Sequence, residues 1–234
     1  GLSGIRIGFG ATEIDALRGV CERLVADNAL ADGEATVYMQ VTRGAAPRTH
    51  HFPPAGVRPT VYAAASRFTV PREHRDAGVK AITFPDFRWL RCDLKTVNLL
   101  GAVLARQAAT EAGAYEAVLL RDGVMTEGAA TNAFAVVDGT LRTHPLGNLI
   151  LPGITRQVVV ELIREASIPF VERPVAQGEL LRATELFLCG TTTDVSPVIA
   201  LDGKPVGAGV PGPVTKRLQS MLESRMYPAV GAGR

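Results

Sequence analysis

The sequence has few cysteines: only Cys21, Cys92 and Cys189 occur in 234 residues, far apart and odd in number. None forms a C-x-x-C pair, which argues against a disulfide framework or a thiolate zinc site and points to a reducing, cytoplasmic setting. No apolar run approaches the roughly 20 residues of a membrane-spanning helix, and the opening residues do not read as a signal peptide. Net charge is scarce as well, at a formal +2 with a pI near 8.6. The arginines are dispersed (Arg43, Arg48, Arg58, Arg88, Arg91) with no basic run interleaved with aromatics, so nucleic acid is not the expected partner.

What is present suits a globular chain. With 47% hydrophobic and 21% charged residues, it can bury a sizeable core without metal or disulfide staples. The opening "GLSGIRIGFGA" reads like the middle of a folded unit, which suggests a natural protein that is longer at its N-terminus. "ATEIDALRGVCERLVADN" is an amphipathic helix with Thr12 and Asp15 as a variant capping box. Ala35–Arg43 and Thr60–Phe68 are β-rich, separated by a loop dense in Gly, Pro, Arg and His. The polar, turn-like "TVPREHRDAG" marks a boundary between a small domain, residues 1–70, and a larger one, 71–234. In the larger part "VKAITFP" reads as a strand and "TVNLLGAVLARQAATEAG", from Thr96, as a helix ending on Gly113. A strand series with D-G turns follows, then a helix in "ITRQVVVELIREAS", two strands around "GTTT", and a final helix over Pro213–Tyr227. Strands outnumber helices without regular alternation, so the expected class is α+β.

Five segments could carry chemistry. In "RWLRCDLKTVNLL", Lys95 stands between apolar stretches able to bury the junction. A buried amine loses its proton readily and becomes a nucleophile for an aldehyde; the ordinary alternative is a solvated lysine. In "VMTEGAATNAF", Glu127 is followed by small residues that would let a flat ring approach, and a carboxylate there would keep a pyridine nitrogen protonated. Taken alone, the segment reads more simply as a surface turn. "LPGITR" places Gly153 before a helix beginning Ile154–Thr155, a ready anion site, although ordinary helices also start so. "LCGTTTDVSPV" offers amides and hydroxyls at Gly190, Thr191 and Thr192, or simply a turn. In "VTRGAAPRTHHFP", Arg48 and His50 lie two apart, so an extended loop would project both toward a carboxylate; a solvated basic loop is the plain alternative. His50 and His51 are adjacent with no carboxylate or thiol ligand nearby in sequence, so no metal is expected.

In this order, "RWLRCDLKTVNLLGAVLA", "TEGAATNAF", "LPGITR" and "GTTTDVSPV" resemble the two-domain fold-type IV pyridoxal-phosphate enzymes over nearly the whole chain. That superfamily includes branched-chain and D-amino-acid aminotransferases and aminodeoxychorismate lyase. The loop "VTRGAAPRTHHFP" is similar to the D-amino-acid aminotransferase version. The resemblance implies pyridoxal 5′-phosphate, with Lys95 as the catalytic Schiff-base lysine and proton carrier. Glu127 would pair with the pyridine nitrogen, Leu151 pack on the ring, and Ile154, Thr155, Thr191 and Thr192 hold the phosphate. Arg48 and His50 would take the substrate carboxylate, commonly across a homodimer with shared active sites. The implied reaction is D-amino-acid transamination onto a 2-oxo acid. Branched-chain transamination, the lyase reaction and (R)-amine transamination are its rivals, and a cofactor-free fragment is the rival of another class. Ala129, Ala130 and Gly190 depart from the serines common in the family, and the phosphate-binding arginine and active-site tyrosine of its N-terminal part have no counterpart here.

Overall fold

The structure is a computed structural model that describes residues 11–227, with side chains from residue 15 onward. The stretch "GLSGIRIGFG" therefore lies outside the described residues, as does the side chain of the expected cap at Thr12. The chain divides into two compact units, Gly1–Val70 and Pro71–Arg234.

The first unit contains α1 (Ala11–Asp27), β1 (Ala35–Thr42) and β2 (Thr60–Arg67). The two strands form an antiparallel ribbon in continuous register, from Ala35 opposite Arg67 to Thr42 opposite Thr60. Arg67 fastens the ribbon to the end of the helix, donating to Ala29 O (3.1 Å) and Asp32 Oδ1 (2.8 Å). In the intervening loop the Arg43 guanidinium stacks 3.6 Å from the centre of the Phe52 ring, a contact that closes the base of the segment carrying Arg48 and His50.

The second unit runs α2 (Arg72–Asp76), β3 (Val79–Pro85), α3 (Leu100–Glu111), β4 (Glu116–Arg121), β5 (Val124–Gly128), β6 (Asn132–Val137), β7 (Thr140–Thr143) and α4 (Ile154–Glu165). It continues with β8 (Phe170–Glu172), β9 (Val175–Ala176), α5 (Gln177–Leu180), β10 (Glu185–Gly190), β11 (Asp194–Leu201), β12 (Lys204–Pro205) and α6 (Pro213–Met226). Ten strands form one mixed sheet in the order β8-β7-β6-β10-β11-β3-β4-β5-β9, with β12 on β11. The class is α+β: neighbours are mostly antiparallel, and β3 pairs in parallel with both β11 and β4. The D-G pairs at 122–123, 138–139 and 202–203 all have positive φ at both residues. That is the geometry of the tight hairpin turn that Asp-Gly favours.

The central strands are apolar on both faces because both are covered. In β6, Phe134 and Val136 face a cluster shared with α4 and α6, while Ala133, Ala135 and Val137 face a second cluster. Strand β10 repeats the pattern with Phe187 and Cys189 against Leu186 and Leu188. Phe134 and Phe187 are register partners whose rings stack 4.9 Å apart and nearly parallel. Helix α6 begins at Pro213 after the N-cap Gly212, and Glu185 of β10 replaces a local cap by accepting from Val214 N, Thr215 N and Thr215 Oγ1 at 2.6–3.0 Å. A negative group at a helix N-terminus is favoured by the dipole as well as by the free N–H groups.

Two expectations are corrected. The turn-like segment before β3 holds the short helix α2, because Pro71 caps it and Arg75 ties it to Glu223 of α6 at 2.6 Å. Helix α3 starts at Leu100 rather than Thr96. The Thr96 hydroxyl accepts Asn98 N–H and Val97 O accepts Leu99 N–H, so the backbone first turns over short local bonds. Among the described residues, no helix is long and apolar enough to cross a membrane.

Phe187→Ala should destabilise the fold by about 3–5 kcal/mol, since it opens a cavity in a fully buried stack. Urea unfolding with an unchanged slope checks this. A loss near zero would mean that the stack does not support the core.

Candidate functional site

The site of the second unit is built on a buried carboxylate. Glu127 lies on β5 at 3% exposure, in a strand whose neighbours Met125, Thr126 and Gly128 are all buried. Its Oε1 accepts from Arg88 Nη1 at 2.5 Å. Its Oε2 accepts from Asn132 Nδ2 at 2.8 Å and from Leu151 N at 3.0 Å. An ionised carboxylate offers about four lone-pair directions. Three are taken, and the one left open is on Oε1. Burial pushes the Glu127 carboxyl up to about 7, although the Arg88 charge and its hydrogen bond act against that rise.

The same contacts gather the segments that the sequence singled out. Asn132 Nδ2 also donates to Leu151 O at 2.9 Å, so one amide joins the "TEGAATNAF" and "LPGITR" stretches. A Cβ at Gly153 would come within 2.4 Å of Asn132 Oδ1. Glycine is what lets this loop close on Asn132. Gly153 also ends the loop as the N-cap of α4 and has no side chain to cap it. The first N–H groups of α4, at Ile154 and Thr155, therefore lie next to the carboxylate's loop, with Ile154 exposed and Thr155 half-buried.

The hydroxyl turn lies beside these. Cys189 of β10 pairs with Asn132 of β6, and the Cα of Gly190 faces Ala130 O and Thr131 Cγ2, each 3.7 Å from where a Cβ would stand. Thr191 and Thr192 are exposed at the tip, while Thr193 is buried and shares a 3.2 Å hydrogen bond with Tyr115 Oη. Beneath the 129–131 turn, the fully buried Glu116 accepts from Ala130 N and Thr131 Oγ1, with Arg106 as its counter-charge at 3.2 Å. The nearby thiol of Cys189 is pushed up to about 12 by burial, which removes it from nucleophilic chemistry near neutral pH.

Lys95 requires a correction. It was expected inside, yet it is exposed, on the irregular segment between β3 and α3. The apolar residues that were to bury it are themselves exposed: Trp89 at 39%, Leu90 at 61%, Val97 at 65% and Leu100 at 69%. The junction forms a surface of its unit, so its apolar composition does not enclose the amine. The segment is nevertheless held at the site. Cys92 N donates to Asn148 O, Asn148 Nδ2 to Leu90 O, and Arg88 Nη2 to Leu149 O, at 2.9–3.3 Å. Lys95, Glu127, Leu151, Ile154, Thr155, Thr191 and Thr192 thus lie on segments that hydrogen bonds and strand pairing bring together. Arg48 and His50 belong to the first unit, where both are exposed on the loop between β1 and β2.

The sequence reading overlooked Asp86, Arg88 and Glu116, and quoted Asn132 without giving it a role. A glutamate within the apolar strand "YEAVLL" was the visible signal for Glu116, since a buried charge requires partners. For Arg88 the signal was weaker: an aspartate two residues before an arginine, directly after a strand.

Comparisons with known proteins agree with the geometry. Residues 10–201 match the family described as amino-transferase class IV. The D-alanine aminotransferase of Bacillus licheniformis is 43% identical over 221 residues, covering 94% of this chain and 76% of the relative. That of Staphylococcus haemolyticus is 41% identical over 227 residues, covering 95% and 79%. Among solved structures, the branched-chain amino acid aminotransferase of Escherichia coli matches with a TM-score of 0.83 at 30% identity, over 100% of this chain and 77% of that one. The T.th. branched-chain enzyme complexed with N-(5′-phosphopyridoxyl)-L-glutamate matches with a TM-score of 0.81 at 27% identity, over 95% and 74%.

A carboxyl raised from 4.5 to about 7 in the folded protein stabilises it fully below about pH 4.5, and that contribution is lost as pH rises through about 7. Without added cofactor, the chain should lose up to about 3 kcal/mol of stability over that window through Glu127. Glu127→Gln should remove this part of the slope. Urea midpoints at pH 5 and pH 8 test it: the variant should gain on the parent at pH 8, and parallel profiles would contradict the assignment.

Proposed function

The chain belongs to the class IV aminotransferases, and from that membership we infer that it moves the amino group of a D-amino acid to a 2-oxo acid such as 2-oxoglutarate. One observation carries the substrate class: the D-alanine aminotransferases are 41–43% identical over at least nine-tenths of the chain. The branched-chain enzymes share the fold at 26–30% identity. They define the second reading, in which L-branched-chain amino acids are the donors.

The cofactor is pyridoxal 5′-phosphate, and the residues present fit it. A buried carboxylate keeps one acceptor direction open, and an uncapped helix N-terminus stands near a turn of exposed threonines. When bound, this cofactor supplies an aldehyde that captures amines and a ring that accepts the electron pair released at the substrate's Cα. Glu127 would hold a proton on the ring nitrogen through its open Oε1 direction. Ile154 N–H, Thr155, Thr191 and Thr192 would take the phosphate, and Leu151 would pack on the ring. Lys95 would provide the amine that meets the aldehyde. Its nitrogen would also move the proton at the substrate's Cα, acting as general base and then as general acid. Exposure of Lys95 leaves its nitrogen reachable for this role.

Arg48 and His50 would bind the substrate carboxylate, the arginine by a two-pronged, charge-assisted contact. In this reading the first unit is the small domain and the second carries the cofactor. Helix α3 buries Ala105 and Ala109 and exposes Leu100, Val103 and Leu104 on the other side, and Trp89 and Leu90 of the preceding segment are exposed as well. An apolar surface of this kind supports burial against a second copy, in a homodimer with shared sites. Three free cysteines support a cytoplasmic location.

Lys95→Ala should abolish transamination while the fold persists. The parent protein with pyridoxal 5′-phosphate should show a near-visible absorption band that borohydride removes, and the variant should lack it; activity retained without added amine would refute the role. Arg48→Ala should raise KM for D-amino acids by about ten- to a hundred-fold, the worth of a charge-assisted hydrogen bond. Lysine should restore this in part, and amines without a carboxylate should be spared. A panel of D- and L-donors decides between the two readings.

A further inference from the structure

Two buried carboxylates compete for one guanidinium beside the site. Arg88 binds Asp86 with a full fork, Nε to Oδ1 and Nη2 to Oδ2, both at 2.9 Å. It reaches Glu127 Oε1 with Nη1 at 2.5 Å. Its side chain is 12% exposed, against 0% for Asp86 and 4% for Glu127. Asp86 is also held by Arg121 Nη2 at 3.1 Å and by Thr126 Oγ1 at 3.0 Å. Thr126 directly precedes Glu127 on β5, so the network grips the strand as well as the carboxylate.

We propose that Arg88 is a positioning residue that fixes both the place and the charge of Glu127, by dividing its guanidinium between that carboxylate and Asp86. The fork to Asp86 sets the plane of the guanidinium, leaving Nη1 in one direction, toward Glu127. With Glu127 ionised, Asp86, Arg88, Arg121 and Glu127 sum to zero charge; with Glu127 protonated they carry one excess buried positive charge. Balance therefore favours the ionised carboxylate, the form that can accept a hydrogen bond from a protonated ring nitrogen. Asp86 opposes this by drawing on the same guanidinium and by adding a negative charge. The pair has opposite effects on one group, which separates control of charge from simple support of the fold.

The other groups around Glu127 do not supply this control. Asn132 of β6 and Leu151 N are neutral donors. Cys92, on the segment of Arg88, and Cys189 of β10 are thiols raised by burial, and Arg156 of α4 acts on Cys189. Asp86 is drawn down to about 2: burial alone would raise it, but the hydrogen bonds of Arg88 and Arg121 outweigh burial. It therefore stays charged whenever Glu127 titrates.

This inference rests on the reading of Glu127 as the ring-nitrogen partner, but its test does not. The carboxyl carbon of Glu127, assigned by its absence in Glu127→Gln, is followed by 13C NMR against pH in the full chain without cofactor. Arg88→Met should move the midpoint up by about one to three pH units and Asp86→Asn should move it down, because an opposite charge has been lost in one case and a like charge in the other. Arg88→Lys, which keeps the charge but not the fork, should stay near the parent. Shifts in the same direction for Met and Asn, or no shift in Asp86→Asn, overturn the proposal. If Arg88→Met does not fold, Asp86→Asn and Arg88→Lys still decide it. In the loaded protein the pH profile of kcat should move with these midpoints. If the midpoints shift and the profile does not, Arg88 controls Glu127 as proposed and the assignment of Glu127 to the ring nitrogen fails.

Discussion

A carboxylate buried to within a few per cent of full enclosure must be partnered, and much of this site follows from satisfying Glu127. Burial disfavours the charge, and three donors from three different segments offset that in part: Arg88, Asn132 and the Leu151 amide. Each donor is itself committed elsewhere. Arg88 is forked on Asp86, Asn132 is bonded to Leu151 O, and Leu151 leads into the N-terminus of α4. Meeting the needs of one buried charge thus places the lysine segment, the helix terminus and the strand pair in a common frame.

That frame leaves open what a cofactor enzyme needs open. Glu127 keeps one acceptor direction, the N-cap of α4 has no side chain, and Thr191 and Thr192 are exposed in their turn. The rest is closed tightly, with Glu116 locking the 129–131 turn from below and Gly153 fitting against Asn132 with no room for a methyl group. Preorganised charge of this kind costs stability in the empty protein, because buried carboxylates are only partly compensated by their partners.

The surface tells a complementary story. Lys95 and the apolar residues around it lie exposed on their unit, and α3 turns Leu100, Val103 and Leu104 outward. A single copy of the second unit therefore does not enclose its own lysine. The chemistry assigned to Lys95 would gain from exclusion of water, and a second copy packed on this face would provide it.

Much of the fold was legible because it depends on local rules. The D-G pairs specify tight turns through their positive φ, and the nearly continuous apolar runs "NAFAVV" and "ELFLCG" specify strands covered on both faces. The stretch "LPGITR" announces a helix start, because only local hydrogen bonding is involved. Short pieces such as β9, β12 and α5 were not legible, since two to four residues gain their structure from neighbours and not from their own pattern. The sequence by itself determined the order of the motifs, the family and the identity of the charged groups. Tertiary structure alone decided that Lys95 is exposed, that Asp86 and Glu127 share Arg88, and that Asn132 joins two loops. Burial and hydrogen-bond partnership depend on which distant segments meet, and no local spacing in the chain encodes that.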